Sequence, residues 1–284
     1  MLFRSGYMYE MLQDAFAVED PELPKVRVAV EHEALDTAGA VRNSLDAADG
    51  PFVVMNGDQI MDVDVAALLR SHAEREADVT IVVRHVPDVS AYGLVRVSDD
   101  GRVEAFLEKR PEDPTGKNLV NSGMYVFSPG VLDAIPKGER YSNETQLFPG
   151  LIGEGRKLVA FRMDDDAYWA DVGTPEKYLE ANRCVLRGAL PWISASPDTV
   201  ATEAGCVIER GAEVGPDVSL GAGVTVRSGA AVRDTIAWPS AEIGEGCRLE
   251  SVIVGPGYHV PPGTEILGPG ARILARDATE SCDR

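Results

Sequence analysis

The sequence predicts an α/β domain followed by a parallel β-helix. Three observations carry this. Short apolar runs alternate with helical patterns up to about residue 188. Helix signals stop from "LPWISASPDT" onward. Beyond that point apolar residues recur every six positions, with glycine near the corners.

In the first part the candidate strands are "VRVAV" at 26–30, "FVVMN" at 52–56, "VTIVV" at 79–83, "LVRVS" at 94–98 and "GMYVF" at 123–127. Between the second and third, Asp64 suits the N-cap of a helix that places Val65, Leu68, Leu69 and His72 on one face. "YWADVGTPEKYLEAN" sets a second helix start, with Thr174 as cap and Pro175 at the first position. Strands alternating with helices indicate a mostly parallel sheet.

In the second part Ile208, Val214, Leu220, Val226 and Val232 form one six-residue series, and Ala212, Val218, Val224, Ala230 and Ile236 form another. One inward aliphatic side chain per short strand, with Gly211, Gly215, Gly221, Gly223 and Gly229 at the turns, coils a chain into a parallel β-helix. After "DTIAWPSAE" the phase slips by one residue and resumes at Ile243 and Leu249. The expected division is a domain over 1–188, a linker over 189–202 and a β-helix over 203–276.

Composition narrows the function. The 284 residues carry a net charge of -19, spread along the chain, which opposes binding to nucleic acid or to anionic membranes and suits acidic sites for a divalent cation. Cysteines 184, 206, 247 and 282 lack metal-ligand or redox spacing, and no run approaches the roughly 18 apolar residues of a membrane span. "MLFRSGYMYEML" lacks the apolar core of a signal peptide, so the expectation is a reduced, soluble, cytoplasmic protein.

Candidate site residues lie at element ends. "VVMNGD" puts Asp58 beyond the carboxyl end of a strand, where open α/β sheets bind ligands, with Gly57 letting a ligand approach the backbone. Asp171 precedes a glycine and a helix start. Two aspartates on separate loops suit Mg²⁺, which takes few carboxylates and keeps water and phosphate oxygens. Asp62 and Asp64 read as solvent-facing or capping groups, and Glu108 and Lys109 can reach one ligand if they lie on a loop. Histidines 32, 72, 85 and 259 show no metal-site spacing.

The ordered segments "VEHEALDTAGAV", "FVVMNGD", "YGLVRVSDDGRVEAFLEKR", "VNSGMYVFSP" and "YWADVGTPEKYLEAN", followed by hexapeptide repeats, resemble the sugar-1-phosphate nucleotidyltransferases from about residue 7 to 270. The branch acting on mannose 1-phosphate with GTP is nearest, and "YSNETQLFPGLI" is similar to its segment before the last catalytic strand. The resemblance implies a Rossmann-like domain and a left-handed β-helix. It also implies Mg²⁺-dependent transfer from an NTP to a sugar 1-phosphate with release of pyrophosphate, in which positioning and charge neutralisation carry the reaction. Asp58 and Asp171 would hold the metal, and Lys109 the sugar phosphate. Glu108 and Asn121 would meet sugar hydroxyls, with the Gly93 backbone over the ring. Glu31 and the turn Leu35 to Thr37 would lie along base and ribose. A homo-oligomer built through the β-helix is expected.

Two departures bear on this. The family's G-x-G-T-R-x-x-P loop, which cradles the triphosphate, has no counterpart in the sequence, so an N-terminally truncated chain without turnover of its own is expected. Asp36 stands where the family pattern has glycine, adding bulk and negative charge beside the base. Both leave open a non-catalytic, sugar-nucleotide-sensing homologue. A hexapeptide acyltransferase rests on His259 alone, and "DQIMDVD" lacks the tight D-x-D of metal-dependent glycosyltransferases.

Overall fold

The computed structural model describes residues 2–5, 13, 25–90, 92–107 and 116–275. In chain order its principal elements are β1 (Leu2–Ser5), β2 (Arg27–Val30), α1 (Asp36–Ser44), β3 (Phe52–Met55), β4 (Gln59–Met61), α2 (Val65–Glu74), β5 (Val79–His85), β6 (Leu94–Val97), β7 (Val103–Leu107) and β8 (Leu119–Phe127). A π-helical turn (Asn143–Leu147), α3 (Phe148–Gly153), β9 (Leu158–Arg162), β10 (Trp169–Asp171) and α4 (Pro175–Leu186) follow, and short strands over 200–274 form the parallel β-helix. The chain divides into two compact units, one of Met1–Gly57 with Val63–Ala167, the other of Asp58–Asp62 with Tyr168–Arg284.

The first unit is built on a six-stranded sheet in the order β7-β6-β8-β5-β9, with β3 also paired to β8. The five predicted strands are all present, four of them in this sheet, while β2 pairs with β1 in a separate two-stranded sheet. The sheet is mixed, however, where the alternation of strands and helices predicts mostly parallel pairing. β8 runs antiparallel to β3, β5 and β6, and only β5 with β9 is parallel. The reason lies in the connections. β6 turns directly into β7, with Ser98 N–H bonded to the Arg102 carbonyl, and a chain that turns back without a crossover helix must pair antiparallel.

Both faces of this sheet are covered, so the first five residues of β5, apolar except for Thr80, are buried without alternation. On one face Ile81, Tyr125 and Phe127 pack with Leu147, Phe148 and Leu151 of the π-turn and α3. The Phe148 ring stacks on Phe106 at 5.0 Å and lies 5.3 Å from Tyr125. On the other face α2 starts at the predicted cap, where Asp64 Oδ1 accepts the Ala67 N–H at 2.9 Å. Of the predicted apolar stripe, Leu68 and His72 are buried, while Val65 and Leu69 keep partial exposure.

His72 is a structural histidine. Its Nδ1 meets Thr80 Oγ1 at 2.8 Å and its Nε2 meets Ser128 Oγ at 3.1 Å. The Ser128 hydroxyl donates to the Ala77 carbonyl, so His72 Nε2 carries the proton and Nδ1 accepts from Thr80. Burial pushes the imidazole below its ordinary value, opposed in part by Asp78.

The start of α1 is strapped to the segment before the π-turn. Ala38 and Gly39 both donate to the Tyr141 carbonyl, and Tyr141 N–H donates back to Leu35. A Cβ at Gly39 would run into the Glu139 carbonyl oxygen, so the approach requires glycine.

In the second unit the β-helix stacks parallel strands at offsets of eighteen residues in the first coil, as from Val207 to Thr225, and then seventeen, as from Thr225 to Glu242, until the last strand pairs at twenty, from Val252 to Arg272. Its core contains Val218, Leu220, Val224, Val226, Val232, Ile243 and Leu249. Ile208 is 45% exposed on the first coil. The predicted phase slip exists but comes earlier than "DTIAWPSAE" suggests. Val214 pairs with Val232, eighteen on, whereas Val218 pairs with Thr235, seventeen on. The residue is lost at the corner where Asp234 takes a left-handed φ of 43°. Ile236, expected inside, therefore points outward and packs with Ile253 and Leu179 of α4.

That corner docks α4. Arg183 Nη1 reaches Asp234 Oδ2 at 2.8 Å, and Arg187 grips Asp217 with Nε at 3.2 Å and Nη2 at 2.7 Å. Asp217, Asp234 and Ser251, one per coil, share left-handed backbone, and Ser251 Oγ donates to Asp234.

Three outcomes follow from this packing. Gly39→Ala gains about 1 kcal/mol of helix propensity but pushes a Cβ into backbone. We expect a net loss of about 1–3 kcal/mol in urea unfolding. Arg187→Ala leaves the buried Asp217 carboxylate without its bidentate partner, and should cost about 1–3 kcal/mol by the same measurement. The unfolded chain protonates His72 near pH 6.5 while the folded protein resists. The histidine's contribution is therefore complete above pH 6.5 and is lost as the pH falls below it. The urea midpoint should drop between pH 7 and 5.5, with a smaller drop in His72→Gln.

Candidate active site

The second unit brings two predicted site residues together. β4, absent from the sequence prediction because three residues leave no periodicity, pairs antiparallel with β10, and the register sets Asp171 opposite Gln59. Asp58 stands next to that pair, in the turn that links β3 to β4 beyond the carboxyl end of β3. Val172 N–H donates to the Asp58 carbonyl at 2.9 Å, which closes the ribbon at this end.

Between the two carboxylates lies Gly173. A Cβ there would stand 2.9 Å from Asp171 Oδ1 and 3.9 Å from Asp58 Oδ2, so the glycine keeps open a space that both acids line. Gly173 N–H donates to Asp171 Oδ1 at 2.8 Å, and Lys177 Nζ lies 2.6 Å from Asp171 Oδ2. The Lys177 hydrogen bond, helped by that of Gly173, holds the Asp171 carboxyl below the usual carboxylate range. Lys177 sits in the first turn of α4, whose predicted cap Thr174 accepts the Lys177 N–H at 3.3 Å. Two carboxylates around a space cleared by glycine fit a hard cation that completes its shell with water and phosphate oxygens. Among the described residues no group of three or more histidines, cysteines or acids could hold a metal.

The first unit carries a separate polar cluster. Glu31 is buried, and its carboxylate accepts the Leu35 N–H. Asp36, in the glycine position of the family pattern, takes a left-handed φ of 62°. Its carboxylate turns back, accepting the Thr37 N–H at 2.8 Å and meeting Arg140 Nε at 3.3 Å. The conformation that favours glycine is thus kept, and the added charge is paired.

Asn121, in the middle of β8, accepts the Gly123 N–H at 3.1 Å through Oδ1 and donates through Nδ2 to Tyr125 Oη at 2.7 Å. Burial, then the Glu144 charge, pushes the Tyr125 phenol well above its ordinary value and keeps it a donor. Gly93 is exposed just before β6, where a Cβ would lie 3.7 Å from the Leu107 carbonyl oxygen, and Gly57 is exposed just after β3 with open space around it. Glu108 and Lys109 lie outside the described residues.

Sequence reasoning missed Gly173, Lys177, Tyr125 and Glu144. The first two lie inside a quoted motif, where the predicted helix start could have placed Lys177 one turn from Asp171. Glu144 and Tyr125 have no local signal for their meeting, since they lie 19 residues apart and Thr37 lies 107 residues from Glu144.

Residues 5–188 match the family model "Nucleotidyl transferase", and residues 196–271 match "GlmU-like, C-terminal hexapeptide". The chain is 33% identical, over 85% of its length, to the mannose-1-phosphate guanylyltransferase of Mycobacterium tuberculosis and spans 63% of that protein. It is 30% identical, over 80% of its length, to the UTP–glucose-1-phosphate uridylyltransferase of Synechocystis and spans 66% of it. It is 26% identical, over 93% of its length, to glucose-1-phosphate adenylyltransferase 2 of Vibrio cholerae and spans 78% of it. The crystal structure of HddC from Yersinia pseudotuberculosis superposes with a TM-score of 0.55 at 28% identity, covering 63% of this chain and 76% of that one. The chain belongs to the nucleotidyl transferase family and carries a GlmU-like hexapeptide domain behind the nucleotidyl transferase region.

Proposed function

We propose that the protein transfers a nucleotidyl group from a nucleoside triphosphate to a sugar 1-phosphate, with GTP and mannose 1-phosphate as the favoured pair. One observation carries the reading. In a chain of this family, the β4–β10 register brings Asp58 and Asp171 to the same cleared space at Gly173. The choice of pair is supported by the relative that matches at 33% identity; relatives named for UTP and for adenylyl transfer are the competing options.

Asp58 and Asp171 are the residues that would hold Mg²⁺, which when bound supplies positive charge to the phosphate oxygens. The Gly173 amide keeps the Asp171 carboxylate aimed, and Lys177 keeps it ionised. Asn121 offers the second lone pair of its Oδ1 to a sugar hydroxyl, because its Nδ2 is engaged by Tyr125 and Glu144 and one Oδ1 lone pair by the Gly123 N–H. Leu35 to Thr37, with Glu31 beneath them, line the base and ribose, and Gly57 and Gly93 leave backbone accessible to ligand. Glu108 and Lys109 complete the sugar and phosphate contacts by resemblance. The sugar phosphate oxygen attacks the α-phosphorus, the bond to the β-phosphate oxygen breaks, and pyrophosphate leaves. Assembly into a homo-oligomer through the β-helix and a cytoplasmic location belong to the same reading. No helix among the described residues is long and apolar enough to cross a membrane.

The competing reading, a non-catalytic sugar-nucleotide sensor, is favoured by Asp36, which stands where the family pattern has glycine. Titration calorimetry with Mg²⁺ and GDP-mannose, UDP-glucose or ADP-glucose tests the site itself. GDP-mannose should bind about tenfold tighter than the others, and absent binding of all three removes the proposal. Pyrophosphate release from matching substrate pairs then separates enzyme from sensor, because binding without release supports the sensor. Where release occurs, Asp171→Asn should lower it by about a hundredfold or more while changing GDP-mannose affinity less. Near-normal release would take Asp171 out of the site.

A further inference from the structure

The sequence "YSNETQLFPGLI" folds into a π-helical turn, a rare form that concentrates at functional sites. Leu147 N–H reaches back to the Ser142 carbonyl at 2.9 Å, and the wider turn presents Glu144 to the first unit's polar cluster. Its carboxylate accepts four hydrogen bonds. Oε1 takes Tyr125 Oη–H at 3.1 Å and Asn121 Nδ2–H at 3.4 Å. Oε2 takes Thr37 Oγ1–H at 3.3 Å and Ser142 Oγ–H at 3.2 Å.

The directions of these bonds are determined. Thr37 Oγ1 already accepts the Asn143 N–H at 2.7 Å, and Ser142 Oγ accepts the Thr145 N–H at 3.3 Å, so both hydroxyl protons are left for Glu144. Tyr125 Oη accepts from Asn121 and donates its own proton to Glu144. A carboxylate has about four lone-pair sites, and all four here are filled from within the protein. Glu144 therefore has little capacity to bind a substrate. What it does is hold two residues from distant parts of the chain, Thr37 at the start of α1 and Asn121 in the middle of β8.

We propose that Glu144 is a positioning residue that couples the nucleotide-side turn to the sugar-side strand, fixing the Asn121 carboxamide so that Oδ1, which already accepts the Gly123 N–H, keeps its second lone pair for a sugar hydroxyl. This rests on the reading of Thr37 and Asn121 given under Proposed function. Coupling follows because the two residues donate to the two oxygens of one rigid carboxylate, so a shift imposed at one is felt at the other.

The test uses Glu144→Gln, which keeps shape and replaces one acceptor oxygen by a donor, with Tyr125→Phe as a second variant that leaves Glu144 in place. Calorimetry with GDP-mannose on Thr37→Val, Asn121→Ala and the double variant measures their coupling. We expect the double variant to depart from additivity by about threefold or more in affinity, and the departure to vanish when the cycle is repeated in Glu144→Gln. An additive cycle in the parent protein, or coupling that survives in Glu144→Gln, overturns the proposal. A merely structural role would lower the melting temperature without touching the coupling. A second readout needs no ligand. The Asn121 side-chain amide protons, identified in the ¹⁵N-asparagine spectrum by their loss in Asn121→Ala, should exchange with solvent about tenfold faster or more in Glu144→Gln and in Tyr125→Phe. Unchanged exchange in both overturns the proposal. If the parent binds no GDP-mannose, the proposed function falls and the amide exchange alone decides the role of Glu144.

Discussion

Strand β8 is the constraint on which the first unit depends. One edge is bonded to β5 along nearly its whole length, and the other is shared between β6 at its start and β3 at its end. A strand held on both edges cannot slide, because a one-residue slip would turn its core side chains to the opposite face. Tyr125 and Phe127 go to the side of the π-turn and α3, while Ser122 goes to the other, where its hydroxyl donates to the Val82 carbonyl at 2.8 Å. Asn121 inherits this rigidity. Its position follows from the strand and its orientation from Gly123, Tyr125 and Glu144, so a polar side chain in a largely apolar strand has one arrangement open to it.

The second unit reaches a comparable rigidity by other means. The ribbon of β4 and β10 is only three residues long on each strand, too short to hold two carboxylates in place without support. That support comes from α4, which begins four residues beyond Asp171 and is docked on the β-helix by Leu179, Arg183 and Arg187. The acids that receive the arginines sit at corners where the backbone is left-handed, a conformation aspartate tolerates better than most residues. The repeat therefore serves more than its own stacking. Its corners anchor the helix whose first turn holds the Lys177 contact to Asp171.

The two clusters also differ in chemistry. In the second unit the carboxylates of Asp58 and Asp171 line a space kept open by Gly173, an arrangement able to take a cation. In the first unit the carboxylate of Glu144 is filled by four donors from the protein and has been converted into scaffold. Asp36 illustrates the same conversion on a smaller scale. An acid in place of glycine is made compatible with the turn by a left-handed φ, a hydrogen bond from Thr37 and the Arg140 pair.

Sequence alone determined what short-range physics controls. The strands, the caps at Asp64 and Thr174, the six-residue repeat and the candidate acids Asp58 and Asp171 were all legible, because each is written in periodicity or in turn chemistry within a few residues. Tertiary structure decided the rest. The antiparallel course of β8, the pairing of β4 with β10, the outward turn of Ile236 and the convergence of Thr37, Asn121 and Tyr125 on Glu144 all depend on partners tens of residues away. No local pattern encodes a hydrogen bond between Thr37 and Glu144, since each is an ordinary polar residue until the chain has closed the loop between them. Closing it costs entropy that only the assembled sheet and its packed faces offset.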